Sequence, residues 1–280
     1  VAGYLDAASG APLHPVAREA LVAALDAGWA DPGRLYGAGR RAAMLLEAAR
    51  ESVAESLGAR PDEVSFPAGG TQALHAAVLG LLRGRAATTF AHTAVEHSAI
   101  LHAADHHVAR GGRAAPVGVD ALGRVDSTEF AAVAEGSGAV AAAVQAANHE
   151  VGTTQPVTQI ASLIPQVPLV VDVTQTLGHA VIPAGWSVLA GEARTWGGPA
   201  GVGVLAVRTG VRWSSPWPAD DREGGRVPGV PNVAAIVAAA ASLRAAVAVE
   251  RSEAARLAAL VERIRVGVAT TIPDVQVLGD

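Results

Sequence analysis

Four short stretches carry side chains able to do chemistry, and each adjoins an apolar run or a helix start. Phe66-Pro67-Ala68-Gly69-Gly70-Thr71 reads as a strand, a glycine turn and a helix start. The backbone N–H groups there, with the Thr71 hydroxyl, either cradle an anion or form an ordinary Thr-capped turn. Asp172 lies at the end of the apolar run Leu169–Val173, and Gln175 follows three residues on. A carboxylate at that point either pairs with a protonated ring nitrogen or caps the turn from Thr174 onward. His97, after Glu96 at a helix start, either presents a flat ring to a planar ligand or is a half-exposed helix-start histidine. Asn148-His149-Glu150-Val151-Gly152 follows another buried run, 138–146. Polar groups at three strand ends, near Thr71, His149 and Asp172, point to a shared crevice more strongly than any one does.

Other chemistries are excluded by what the sequence omits. All 21 basic residues are arginine, so no side-chain amine exists to form a Schiff base, and a guanidinium stays protonated. There is no cysteine, hence no disulfide, thiolate metal site or cysteine nucleophile. No Gly-Lys-Ser/Thr follows the Gly69-Gly70 turn, and Gly136-Ser137-Gly138 precedes a strand instead of following one. His102 and His106 share a helix face with Asp105 and His107 nearby, yet no His-Glu-x-x-His motif is completed. These residues read as a solvated face, and no metal is expected.

The elements that must position these groups follow from periodicity. Residues 1–13 form an extended arm. A helix covers Pro15–Ala27, and a second places Ala42, Leu45, Leu46, Ala49, Val53 and Leu57 on one stripe before Gly58. Strands are then expected at Glu63–Phe66, Ala87–Ala91, Pro116–Val119, Gly138–Ala146 and Leu169–Val173. Helices are expected between them at Thr71–Arg83, His97–Arg110, Ser127–Ala134 and Val157–Ile164. The turn Gly197–Gly201 feeds a further apolar run, Val202–Val207. An irregular stretch reaches Val230, and a helical region runs from Pro231 to about Ala269, with Ala248 as a candidate break. Val275–Leu278 reads as a last strand. Strands apolar throughout and alternating with helices imply an α/β fold, its mostly parallel sheet covered on both faces.

Half of the 280 residues are hydrophobic and 17% are charged, which allows a large globular core. The net charge of −5 has no long run of one sign, so neither nucleic acid nor an acidic membrane is expected as a partner. No uninterrupted apolar run approaches membrane-spanning length, and Asp6 and the Pro12–Pro15 turn argue against a signal peptide. The expectation is a cytoplasmic protein.

Together these motifs resemble the cysteine desulfurase branch of the class V aminotransferases, fold-type I enzymes that use pyridoxal phosphate. The resemblance spans nearly the whole chain: Tyr4-Leu5-Asp6, Gly69-Gly70-Thr71-Gln72, Glu96-His97-Ser98, Asn148–Gly152, Val171–Gln175, Gly198–Gly201 and Pro228–Asn232. It implies a large cofactor-type domain over 14–249 and an incomplete small domain from 1–13 and 250–280. It further implies that Gly70 and Thr71 hold the cofactor phosphate and His97 stacks on the ring. Asp172 would pair with the ring nitrogen, and Gln175 would contact the phenolic oxygen.

The departures from the family pattern cluster around the same ligand. Thr195 stands where the family places its Schiff-base lysine, Arg194 where it has histidine, and His149 where it has a cofactor-contacting asparagine. Glu192 replaces a phosphate-binding serine and would repel a phosphate, and Val230 replaces a threonine that reaches the phosphate from a partner subunit. The family's cysteine-bearing loop falls beyond Asp280. The resemblance therefore implies a degenerate relative, without an internal aldimine, acting as a homodimeric binding or scaffold subunit. Pyridoxal phosphate would be absent or held noncovalently, with Arg194 as a new phosphate contact. The alternative is an enzyme using noncovalent pyridoxal phosphate or another anionic ligand at Thr71, His97, Asp172 and Gln175. A separate C-terminal chain or a sulfur-transfer partner could complete either form.

Overall fold

The computed structural model describes residues 3–279. Seven strands form one sheet: β1 (Val64–Ser65), β2 (Thr89–Thr93), β3 (Arg113–Val117), β4 (Ala139–Gln145), β5 (Leu169–Asp172), β6 (Val188–Glu192) and β7 (Gly203–Val207). Their spatial order is β1-β7-β6-β5-β4-β2-β3. The run from β6 through β5, β4 and β2 to β3 is parallel, whereas β7 and β1 join antiparallel at the other edge. Helices α1 (Pro15–Ala27), α2 (Gly37–Leu57), α3 (Gly70–Leu82), α4 (Ser98–Ala109), α5 (Ser127–Gly136), α6 (Val157–Leu163) and α7 (Val233–Thr271) complete the chain.

Why both faces of the sheet are covered is visible residue by residue. Leu169 and Val171 of β5, Leu189 of β6, and Val204 and Ala206 of β7 join a core built with α2, α5, α6 and α7. Their alternates Val170, Val188, Ala190, Leu205 and Val207 join a second core against α3 and α4. A strand with period-two side chains buried on both faces must read as an unbroken apolar run. The doubly covered, mostly parallel α/β sheet implied by the sequence is thus the fold observed.

Several boundaries differ, each for a physical reason. Strand β6 was not expected, because only Val188-Leu189-Ala190 is apolar before Gly191-Glu192. It gains its place from pairing with β5 and β7, which no local pattern encodes. Strand β3 begins at Arg113 and includes Pro116, which is tolerated because β3 is an edge strand paired only with β2. Val275–Leu278 forms no strand, since no neighbouring strand offers it a ladder; Arg265 Nη2 donates to Leu278 O instead. Helix α7 runs unbroken through Ala248, in a sequence without proline and without glycine until Gly267. By length and composition it could cross a membrane, yet the first half packs in the core through Ile236, Ala239 and Leu243. His107, expected on a solvated face, is buried, and its Nε2 lies 2.8 Å from Thr88 O.

One close approach sets the position of the α3 entry loop. Gly203 at the start of β7 donates to Pro67 O at 2.7 Å, and a Cβ at Gly203 would lie 2.3 Å from Gly69 O. Backbone against backbone leaves no flexible side chain to yield. Gly203→Ala is therefore expected to lower stability by about 1–3 kcal/mol, read as an earlier chemical-denaturation midpoint. An unchanged midpoint would show that the two segments are not in this contact.

Candidate ligand pocket at the carboxyl edge of the sheet

The carboxyl ends of β4, β5 and β6 open onto a cavity of about 390 Å³. Gly70, Thr71, His97, His149, Asp172, Gln175, Arg194 and Thr195 all line it, so every site residue expected from sequence reaches one place. A parallel sheet does this by construction, because it delivers the loops after successive strands to the same edge. Asp6, Ala8 and Ser9 from the N-terminal arm and Gln145, Glu150 and Glu192 also line the cavity. The arm residues could not be placed there from sequence. The arm reaches the site through long-range backbone contacts, Ala11 N to Arg194 O and His14 N to Gly197 O, each 2.8 Å.

Asp172 ends β5 and is only 7% exposed. Its Oδ1 accepts hydrogen bonds from the Thr174 N–H, at 2.8 Å, and from the Thr174 hydroxyl. The turn-capping role and the ligand-facing role are therefore compatible: one oxygen caps the turn, and Oδ2 receives no hydrogen bond from the described residues. Burial pushes the Asp172 pKa up, opposed by the Thr174 hydrogen bonds and by His97 and His149.

His97 is the N-cap of α4, its Nδ1 accepting from Ala99 N at 3.1 Å. A neutral ring in this arrangement carries its proton on Nε2. Its ring meets that of His149 edge-on, with centroids 5.2 Å apart. Burial holds His97 below the ordinary histidine value, while Asp172 works in the opposite direction. Gln175 is turned toward the arm, where its Nε2 donates to Ala8 O at 3.0 Å.

The segment after β6 is a tight 3-10 turn, Ala193–Trp196, closed by left-handed Gly197. Trp196 nails this turn to α7: it is buried and its Nε1 donates to Ala239 O at 3.1 Å. Thr195 is thereby held in the cavity wall, 5% exposed, with its hydroxyl donating to Glu192 O at 2.7 Å. Arg194 leans outward, half exposed, and its Nε lies 3.2 Å from Glu192 Oε1. The other oxygen, Oε2, accepts from the Gly70 N–H at 2.5 Å. Glu192 therefore sits on the α3 N-terminus.

Glu96 was not among the expected site residues, and only its place beside His97 hints at it. It is 4% exposed; Oε1 accepts from the Thr93 hydroxyl at 2.6 Å and from Gln145 N at 3.0 Å, and Oε2 is unpartnered. Burial, helped by repulsion from Asp172, pushes its pKa up to about 8 from 4.5.

Fold and site together define the class of fold-type I proteins, whose ligand lies at the carboxyl edge of a mostly parallel sheet. The Aminotransferase class-V family profile matches residues 3–279, and the chain belongs to that family. An IscS-like cysteine desulfurase of Mycobacterium tuberculosis is 33% identical over 97% of this chain and 72% of its own length. A cysteine desulfurase of Cereibacter sphaeroides is 31% identical over 99% of this chain and 73% of its own. Among solved structures, a NifS-like protein superposes with a TM-score of 0.91 at 25% identity, covering 95% of this chain and 75% of that one. DndA from Streptomyces lividans gives a TM-score of 0.83 at 25% identity, covering 99% and 81%.

The family works with pyridoxal phosphate, and the pocket meets only part of that molecule's needs. Asp172 and His97 suit a flat ring with a protonated nitrogen. The phosphate end does not fit as the side chains stand, because the Glu192 carboxylate already lies on the Gly70 N–H.

The buried Glu96 has a consequence for stability. Its folded pKa lies above the unfolded value, so between about pH 4.5 and 8 the folded state binds more protons than the unfolded state. Its contribution is fully present below that window and is lost as pH rises through it. In Glu96→Gln the decline of unfolding free energy across this range is expected to flatten, as read from denaturation curves at several pH values. An unaltered slope would remove Glu96 as its source.

Proposed function

We propose that this chain is a class V aminotransferase relative that neither forms an internal aldimine nor releases sulfur from cysteine, and that it works as a binding or scaffold subunit. One observation carries the reading. The cavity wall that holds Asp172 and His97 presents a threonine hydroxyl at position 195, and the sequence has no lysine to take its place. A hydroxyl bonded to Glu192 O cannot condense with an aldehyde to an imine or serve as a basic amine.

What the residues present do is bind and orient. His97 and His149 form an aromatic corner, Asp172 supplies a free carboxylate oxygen, and the arm closes one side through Gln175. Such a site holds a small ligand without covalent attachment. The outer half of α7 supports the subunit role. Leu257, Leu260, Val261 and Ile264, spaced as one helix face, are each more than 40% exposed. A solvent-facing apolar row on a long helix is surface for further polypeptide to cover, and self-association is the form tested below.

Protein mixed with pyridoxal phosphate, reduced with borohydride and desalted is expected to carry no pyridoxyl group on any internal residue by peptide mass analysis, and to release no sulfide from cysteine above the buffer rate. A pyridoxyl group attached at an internal residue would overturn the reading. The subunit role predicts a solution mass above the 28.1 kDa of one chain, lowered by the pair Leu260→Asp and Ile264→Asp. Monomeric behaviour of both proteins by light scattering would contradict self-association.

A further inference from the structure

We propose that Glu192 is a built-in anion that takes the place of a ligand's phosphate, and that the pocket accepts an unphosphorylated cation bearing a flat nitrogen ring. The proposal rests on the preceding reading only in taking the ligand to be noncovalent.

The first support is the position of Glu192. A helix N-terminus attracts negative charge because its first N–H groups lack intrahelical partners. Here the first of those groups, the Gly70 N–H, is taken from within the chain by Glu192 Oε2. Gln72 Oε1 also takes the Ala68 N–H, at 2.6 Å, on the approach to the same helix start. The carboxylate is packed in, with its side chain 12% exposed and Oε2 only 2.8 Å from where a Cβ on Gly70 would stand. Arg194 on its far side, 3.2 Å away, is already engaged with Oε1. A phosphate ester entering here would meet a carboxylate on the Gly70 N–H, and like charges at contact distance disfavour binding.

The second support is the charge of the rest of the cavity. Asp6, Glu150, Asp172 and Glu192 face one guanidinium, that of Arg194, so four acids line the space with one permanently positive group. A cluster of acids alone would say little, but Asp172 is more than nine-tenths buried and lines the cavity with one oxygen unpartnered. A carboxylate oxygen that faces the cavity without a protein donor is open to a donor from a ligand. A protonated ring nitrogen supplies that donor and a compensating charge, and the His97–His149 corner suits a flat ring beside it. At about 390 Å³ the cavity takes a small heterocycle.

Calorimetric titration with pyridoxamine and with pyridoxamine 5′-phosphate tests this. Both probes lack an aldehyde, so the result is independent of any covalent linkage, which the borohydride experiment reads separately. The native protein is expected to prefer pyridoxamine by about tenfold or more. Glu192→Gln keeps an oxygen for the Gly70 N–H and should narrow the preference, and Glu192→Ser should reverse it. Asp172→Asn should weaken both probes alike. Unfolding curves with and without probe establish that each variant is folded. Equal or tighter binding of the phosphate ester by the native protein would overturn the proposal. Failure of pyridoxamine to bind at millimolar concentration would overturn the ligand class. An unchanged preference in Glu192→Ser would remove Glu192 as its cause.

Discussion

The carboxylate of Glu192 ties the three parts of the site together. Through Oε2 it caps α3 at Gly70, through Oε1 it engages Arg194, and its backbone oxygen receives the Thr195 hydroxyl. Each bond is short-range, yet Gly70 lies 122 residues away in sequence. The residue closes the end of the cavity where the glycine turn, β6 and the 3-10 turn meet. Its location at the end of β6 follows from the pairing of that strand between β5 and β7. The partners available to Glu192 are thus a consequence of sheet topology.

Two further acids lie deeper. Asp172 and Glu96 are both nearly excluded from water; burial raises the pKa of each, and Asp172 raises that of Glu96 further. An ionised carboxylate in such a place needs several donors, and here the donors are few: Thr174 for one, Thr93 and Gln145 for the other. The Oε2 atom of Glu96 has none. Selection for stability alone would not place two acids beside one another beneath a cavity, so the arrangement fits a site shaped around a ligand's charge.

The overall architecture was legible because it rests on burial. Strands such as Leu169–Asp172 are apolar at every position before the terminal acid and buried throughout, which only a sheet covered on both faces requires. The glycine turn at Gly69-Gly70, the acid at the end of β5 and the histidine opening α4 are local features, and each could be assigned to its element from neighbours in sequence. Less visible were elements whose identity depends on a partner. Strand β6 carries too little apolar sequence to declare itself, and Val275–Leu278 has strand-like sequence with nothing to pair with. The packing of His107 against Thr88 likewise depends on a residue 19 positions away.

The sequence by itself determined the chemical inventory: no amine, no thiol, and a threonine, an arginine and a glutamate in one short segment. Composition is independent of conformation, so those exclusions stand in any fold. Only the tertiary structure decided what the glutamate does. From sequence Glu192 was a charge that would repel a phosphate; in three dimensions its carboxylate lies on the helix N-terminus itself. The difference arises because a hydrogen bond depends on distance and direction between groups, and the chain brings Glu192 to Gly70 only after the sheet has formed.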